Sequence, residues 1–205
     1  MYTVYNDKDQ TYNEVEEPDP SLRYTYADYL KWNFEERLEL IKGKIYKMSP
    51  APTSLHQQVC VRLTGEMYSV LKGHPCQLFA APFDVRLPVQ NKKRPSQIDT
   101  VVQPDLCVVC DEAKIDERGC IGPPDLLVEV LSKRTGRKDR TTKLRLYEEA
   151  GVKEYWIVSP VKETVQVFVL NTENRYAEAK EYTGKDIIKS EAILGLKINL
   201  TDIFL

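Results

Sequence analysis

The chain has 205 residues, 42% of them hydrophobic and 29% charged, with a formal net charge of −2. That is enough for one domain with its own core, and a pI near 5.8 excludes a general basic field, so nucleic acid could be met only at a local patch. No run is apolar for long enough to span a bilayer, and the first ten residues lack the basic region and apolar core of a signal peptide.

Five cysteines, at 60, 76, 107, 110 and 120, are an odd number in scattered contexts, unlike a secreted disulfide framework. They place the chain in a reducing, cytoplasmic setting. Cys107 and Cys110 have a zinc-like gap, but three positions along a strand face opposite sides, and no second pair is spaced to complete a site.

Residues 1–22 are polar and acidic and read as a loose or edge-wrapping arm ahead of a single domain over 23–205. Thr25 with Asp28 three residues on resembles a capping box and predicts a helix over 26–36. Alternation around Gly43 predicts a hairpin over 38–48. Beyond the break at 49–53, Val59, Leu63, Met67 and Val70 keep helical spacing and predict a helix over 55–71.

Strands are expected at 76–80 and 83–87, joined at Ala81-Pro82, and then an exposed basic turn carrying Lys92, Lys93 and Arg94. Next come a strand over 101–110, a long polar loop over 111–123 and a strand over 125–131. A helix over 138–150 stops at Gly151, and a strand over 154–159 follows at once. The segments 165–170 and 176–182 read as a hairpin, and 194–205 as a last strand and turn. This order implies an α/β fold, a mixed sheet with helices packed against it.

Two of these strands bring carboxylates into apolar surroundings. Asp105 opens one apolar run, and Glu129 lies inside Leu126-Leu127-Val128-Glu129-Val130-Leu131, sharing a face with Leu127 and Leu131. A carboxylate so placed must be neutralised, paired, or bound to a hard cation. Two of them on neighbouring strands could hold Mg²⁺ or Mn²⁺, which lowers the pKa of bound water and stabilises charge on a phosphorane-like transition state. Lys143, on the inward side of its helix with Tyr147 and Ala150, is the cation expected to orient or help deprotonate the attacking water.

Pro104-Asp105 followed by Glu129-Val-Leu resembles the PD-(D/E)xK nuclease signature, with Leu131 where the lysine usually stands. Leu38-Glu39-Leu-Ile-Lys-Gly43, Met48-Ser-Pro with His56, Ala81-Pro-Phe-Asp84-Val-Arg-Leu, Gln103-Pro-Asp105-Leu, Pro124-Asp125 through Ser132, Asp139-Arg140 with Lys143-Leu144, and Gly151 through Val158 are more closely similar to the Uma-two family. The resemblance covers residues 25–205. It implies a restriction-endonuclease-like fold and a magnesium- or manganese-dependent nuclease, acting on DNA rather than RNA and as a homodimer. It also carries over Asp105 and Glu129 as metal ligands, Lys143 as a lysine moved from strand to helix, and Glu39 as a supporting carboxylate.

Each residue also has a plainer reading. Glu129 could sit in a structural ion pair with Arg140 or Lys143, and Asp105 could be a turn residue after proline. Lys143 could pair with Asp139 on a solvated helix face. Glu39 could be an exposed hairpin carboxylate, and Asp125 a cap where its strand begins. His56 could meet a phosphate at a helix start or lie on the helix surface. Lys92, Lys93 and Arg94 are the local candidates for phosphate contact, Asp84 is a lesser site candidate, and Trp156 reads as core. The rival function is a non-catalytic interaction protein on the same scaffold, which a lysine held away from the carboxylates would favour.

Overall fold

In a computed structural model, which describes residues 2–14, 18–34, 36–48, 51–88, 94–132 and 138–205, the chain opens with a hairpin of β1 (Tyr2–Asn6) and β2 (Thr11–Glu14). A one-turn helix, α1 (Tyr26–Tyr29), leads to β3 (Trp32–Phe34), which pairs antiparallel with β1. Residues 2–14 therefore form a hairpin paired with β3. Aromatic contacts supply what the acidic composition hid: Tyr2 packs edge-on to Phe34 at 5.0 Å, and Trp32 stacks on Phe34 at 5.3 Å. The capping box forms, with the Thr25 N–H donating to the Asp28 carboxylate at 2.7 Å. The helix nevertheless ends well short of residue 36, because Trp32 and Phe34 are strand formers with rings to pack.

The next hairpin, β4 (Leu38–Ile41) and β5 (Lys44–Lys47), turns where expected. Lys42 and Gly43 both have positive φ, 50° and 75°, as a two-residue hairpin turn requires. Helix α2 (Ser54–Leu71) is capped by Thr53, whose side chain accepts from the His56 N–H. Then come β6 (Gln77–Ala80), β7 (Val85–Arg86), β8 (Val101–Val102), β9 (Leu106–Val109), β10 (Ile115–Asp116), β11 (Gly119–Ile121) and β12 (Leu126–Val130). A π-helical turn, Asp139–Lys143, runs into α3 (Leu144–Ala150), which ends at Gly151 in the left-handed conformation. Strands β13 (Glu154–Ser159), β14 (Thr164–Val169) and β15 (Lys180–Thr183) follow, with β16 (Ile187–Lys189) and β17 (Lys197–Asn199) as a closing hairpin.

Two six-stranded sheets result, ordered β10-β11-β7-β8-β4-β5 and β15-β14-β13-β12-β9-β6. In the second, β12 and β13 are parallel, joined through α3, while their outer neighbours run antiparallel, so the fold is the expected mixed α/β arrangement. The two-residue period of β12 sorts its side chains. Leu126, Val128 and Val130 face Leu63 and Met67 of α2. Leu127 faces the other way, toward Ile41 and Val85 of the first sheet and Leu146 and Tyr147 of α3. Glu129 shares the face of Leu127, so it points into the seam where both sheets and α3 meet.

The apolar run 101–110 is not one strand. Pro104 cannot donate to a ladder, and the chain changes sheets there: β8 pairs with β4 and β7, whereas β9 pairs with β6 and β12. The segment 111–123 is likewise not open loop, since it contains a 3₁₀ turn at Glu112–Lys114 and the β10–β11 hairpin.

Cys76 and Cys110 extend the antiparallel register that pairs Gln77 with Val109, and they are joined by a disulfide. Scattered spacing in the sequence did not announce that pair, because only the sheet register places the two opposite each other. Cys60, Cys107 and Cys120 are free.

One buried acid is wholly structural. Glu154, with no exposure, accepts from Trp156 Nε1 at 2.6 Å, Ser190 Oγ at 2.7 Å, and the Glu191 and Ala192 N–H groups at 2.8 Å each. Truncating it orphans the buried Trp156 Nε1 at about 1–3 kcal/mol, and three part-buried donors at less each. Glu154→Ala is expected to lose about 3 kcal/mol or more of stability in urea unfolding. By contrast, Lys180→Ala, which breaks an exposed pair with Glu191, should leave the midpoint where it was.

Candidate active site

The seam opens as a cleft of about 520 Å³ whose walls include Glu39, His56, Asp105, Glu129, Lys138 and Lys143. Glu39 comes from β4 of the first sheet and Glu129 from β12 of the second. Asp105 lies just past the proline that links the sheets, and Lys143 ends the π-helical turn. Such widened turns recur at functional sites, and this one leaves both Asp139 and Lys143 buried, with Lys143 Nζ 3.9 Å from Asp139 Oδ1.

Lys143 is the hub. Its Nζ lies 2.7 Å from Glu129 Oε1 and 2.8 Å from Glu39 Oε1, and its side chain is 5% exposed. Glu129 Oε1 also accepts from the Tyr147 hydroxyl at 2.8 Å. Glu39 is further held by the Gln103 N–H at 3.2 Å and by Lys138. Asp105 turns Oδ2 to the Val130 N–H at 2.7 Å, beside Glu129, and to His56 Nε2 at 3.4 Å. Glu129 Oε2 and Asp105 Oδ1 carry no hydrogen bond to a described residue.

Electrostatics follow from this crowding. Burial drives the Glu129 carboxyl up, to about 8, because Lys143 offsets only part of the combined effect of desolvation and the neighbouring charges of Asp139, Asp105 and Glu39. Burial also opposes ionisation of Glu39, yet Lys143 and Lys138 together outweigh it and hold that group down at about 2. For Lys143, burial disfavours the charge, but Glu129, Glu39 and Asp139 keep the ammonium well above its ordinary value. Glu129 is thus the acid of this cluster whose ionisation is pushed up by its surroundings, while that of Glu39 is held down.

The structure brings Asp105, Glu129, Lys143 and Glu39 to one place. Glu39 is buried and not an exposed hairpin carboxylate, and Asp139 and Lys143 do not lie on a solvated face. His56 is also buried, turned to Asp105 and away from the helix surface. Asp125 is structural: it accepts from the Cys110 N–H at 2.8 Å and from Lys153 at 2.6 Å. Asp84 lies to the side, taking 2.8 Å and 3.4 Å bonds from Gln103 Nε2 and the Tyr29 hydroxyl. Arg94 is exposed at the start of a short 3₁₀ turn and does not line the cleft, while Lys92 and Lys93 lie outside the described residues. The cations that do line it are Arg37, Lys47, Lys138 and Lys143. Sequence reasoning missed Tyr147 as a partner of Glu129 and Lys138 as a partner of Glu39. The spacing of four between Lys143 and Tyr147 was the available signal for the first.

A family model named Uma2 and described as "Putative restriction endonuclease" matches residues 26–201. The chain belongs to the Uma2 family. Its N-terminal hairpin, residues 2–14, falls outside the matched span. An uncharacterized protein of Synechocystis sp. is 28% identical over 155 residues, covering 74% of this chain and 77% of its own. A crystal structure described as a putative nuclease belonging to DUF820, from Anabaena variabilis, superposes with a TM-score of 0.69 at 20% identity, over 88% of this chain and 97% of the other. The Uma2 chain therefore has the restriction-endonuclease-like α/β fold that its motifs imply. No helix among the described residues is long and apolar enough to cross a membrane.

Glu129 also sets a pH dependence for this Uma2 chain. Its folded-state pKa lies above the ordinary 4.5, at about 8, so between those values the folded chain holds a proton that the unfolded chain has released. Stability should therefore fall as pH rises through that window. Glu129→Gln removes the titration, and its urea midpoint is expected to gain on the wild type progressively between about pH 4.5 and about 8.

Proposed function

We propose that this Uma2 chain is a divalent-cation-dependent hydrolase that cuts phosphodiester bonds in DNA, with Asp105 and Glu129 as the metal-holding pair. The observation that carries the reading is the division of labour in those two carboxylates. One oxygen of each is fixed by the protein, and the other has no hydrogen bond to a described residue, at the wall of a cleft they share. Two hard oxygen donors suit Mg²⁺ or Mn²⁺, which take few protein ligands and keep several waters. When bound, such an ion lowers the pKa of a coordinated water and neutralises charge on the phosphate.

The protein's own groups do the rest. The carboxylates around Lys143 hold its ammonium well above its ordinary value, so it does not act as the base that takes a proton from water. It holds Glu129 in place and adds fixed positive charge where a phosphoryl group gains negative charge. Glu39 and Tyr147 keep Lys143 and Glu129 from drifting. Arg37, Lys47 and Lys138 supply the local positive charge that the acidic chain as a whole lacks, and they are suited to the flanking phosphates. A homodimer would offer one cleft to each strand of a duplex.

Calorimetry with Mg²⁺ and Mn²⁺, beside a cleavage screen over single- and double-stranded DNA and RNA, tests the reading. Wild type should bind and cut, whereas Glu129→Ala should lose metal affinity on the order of 100-fold and lose cleavage. Absence of metal binding, or affinity and cleavage untouched by Glu129→Ala, defeats the assignment and returns the chain to the interaction-protein class. Because Glu129 is protonated up to about 8, binding should also release close to one proton near neutrality and tighten as pH rises to that value. Calorimetric enthalpies in buffers of different ionisation heat would show it.

A further inference from the structure

On α2, His56 and Cys60 are four residues apart and share a helix face. His56 Nδ1 lies 3.5 Å from Cys60 Sγ, and His56 Nε2 lies 3.4 Å from Asp105 Oδ2. One ligand atom from each of the three residues falls within 4.8 Å of the others. The set combines nitrogen, sulfur and oxygen donors on a cleft wall, whereas Asp105 and Glu129 offer oxygen alone.

We infer that His56, Cys60 and Asp105 form a second cation site, selective for a borderline-soft divalent ion, Zn²⁺ above all, with its fourth position open to the cleft. It goes beyond the hydrolase reading and shares only Asp105 with it.

Three chemical points support the site. Imidazole and thiol are the donors that distinguish zinc from magnesium, and three protein ligands with one open position are the pattern of accessible zinc sites. Geometry is near to closing, since tetrahedral zinc keeps its ligand atoms roughly 3.3–3.6 Å apart. The histidine–aspartate spacing already satisfies that, so a turn of the imidazole or thiol of about 1 Å completes the set. Charge also favours a cation, since the acidic side chains of Asp105 and Glu39 line the same cleft. Binding there would displace the thiol proton, as metal binding to cysteine does.

The test uses the full chain and Co²⁺ as the spectroscopic stand-in for Zn²⁺. A thiolate-to-cobalt charge-transfer band with tetrahedral ligand-field absorption is expected, and Zn²⁺ should displace both at one equivalent. Cys60→Ser should abolish the band and weaken Zn²⁺ binding roughly tenfold or more, with Mg²⁺ affinity unchanged. Glu129→Ala should keep the band while losing Mg²⁺, which separates failure of this site from failure of the hydrolase reading. In the unaltered protein, Zn²⁺ should also protect Cys60 from alkylation, measured by mass spectrometry, so the outcome does not depend on a variant folding. A missing charge-transfer band, a band that survives Cys60→Ser, or an unprotected Cys60 would overturn the inference.

Discussion

A single ammonium group ties together three parts of this fold that apolar packing already brings to one seam. Lys143 arrives on the turn before α3, Glu39 on the first sheet and Glu129 on the second, and both carboxylates close on its Nζ within 2.8 Å. Buried charge of this kind contributes little net stability, because desolvation consumes most of the Coulombic gain. Its effect lies in position: three elements are held in one relation, and leaving any partner alone would strand an uncompensated charge. Apolar packing on either side of the second sheet supplies the energy that makes the arrangement tolerable.

That view explains why the acids of the chain behave so differently. Glu154 and Asp125 are buried with both oxygens of each carboxylate bonded to the protein, and they serve as joints. Glu129 and Asp105 are anchored through one oxygen each, at the wall of the cleft. Amino-acid identity does not separate these classes, and burial alone does not either. The supply of donors around each carboxylate does.

Much of this was legible in the sequence where a local period or a special residue governs. The alternation of β12 put Glu129 on the face of Leu127, Gly43 marked a hairpin, Gly151 ended a helix, and the inward lean of Lys143 placed it near the carboxylates. Legibility failed where distant residues decide. Aromatic rings contributed by both β1 and β3 turned an acidic arm into a sheet and cut the first helix short. His56 looked like a surface residue because its partner, Asp105, lies far along the chain, just before β9. The disulfide between Cys76 and Cys110 depends on a register that neither cysteine's neighbourhood specifies.

Gln103, Pro104 and Asp105 span the step between the two sheets, and each end of that bridge is fastened. The Gln103 N–H grips Glu39 on one sheet, and the Asp105 carboxylate grips the Val130 amide on the other. Adding or deleting one residue here would turn every downstream side chain of β9 to the opposite face. The length of this tripeptide should therefore be the least negotiable dimension of the chain.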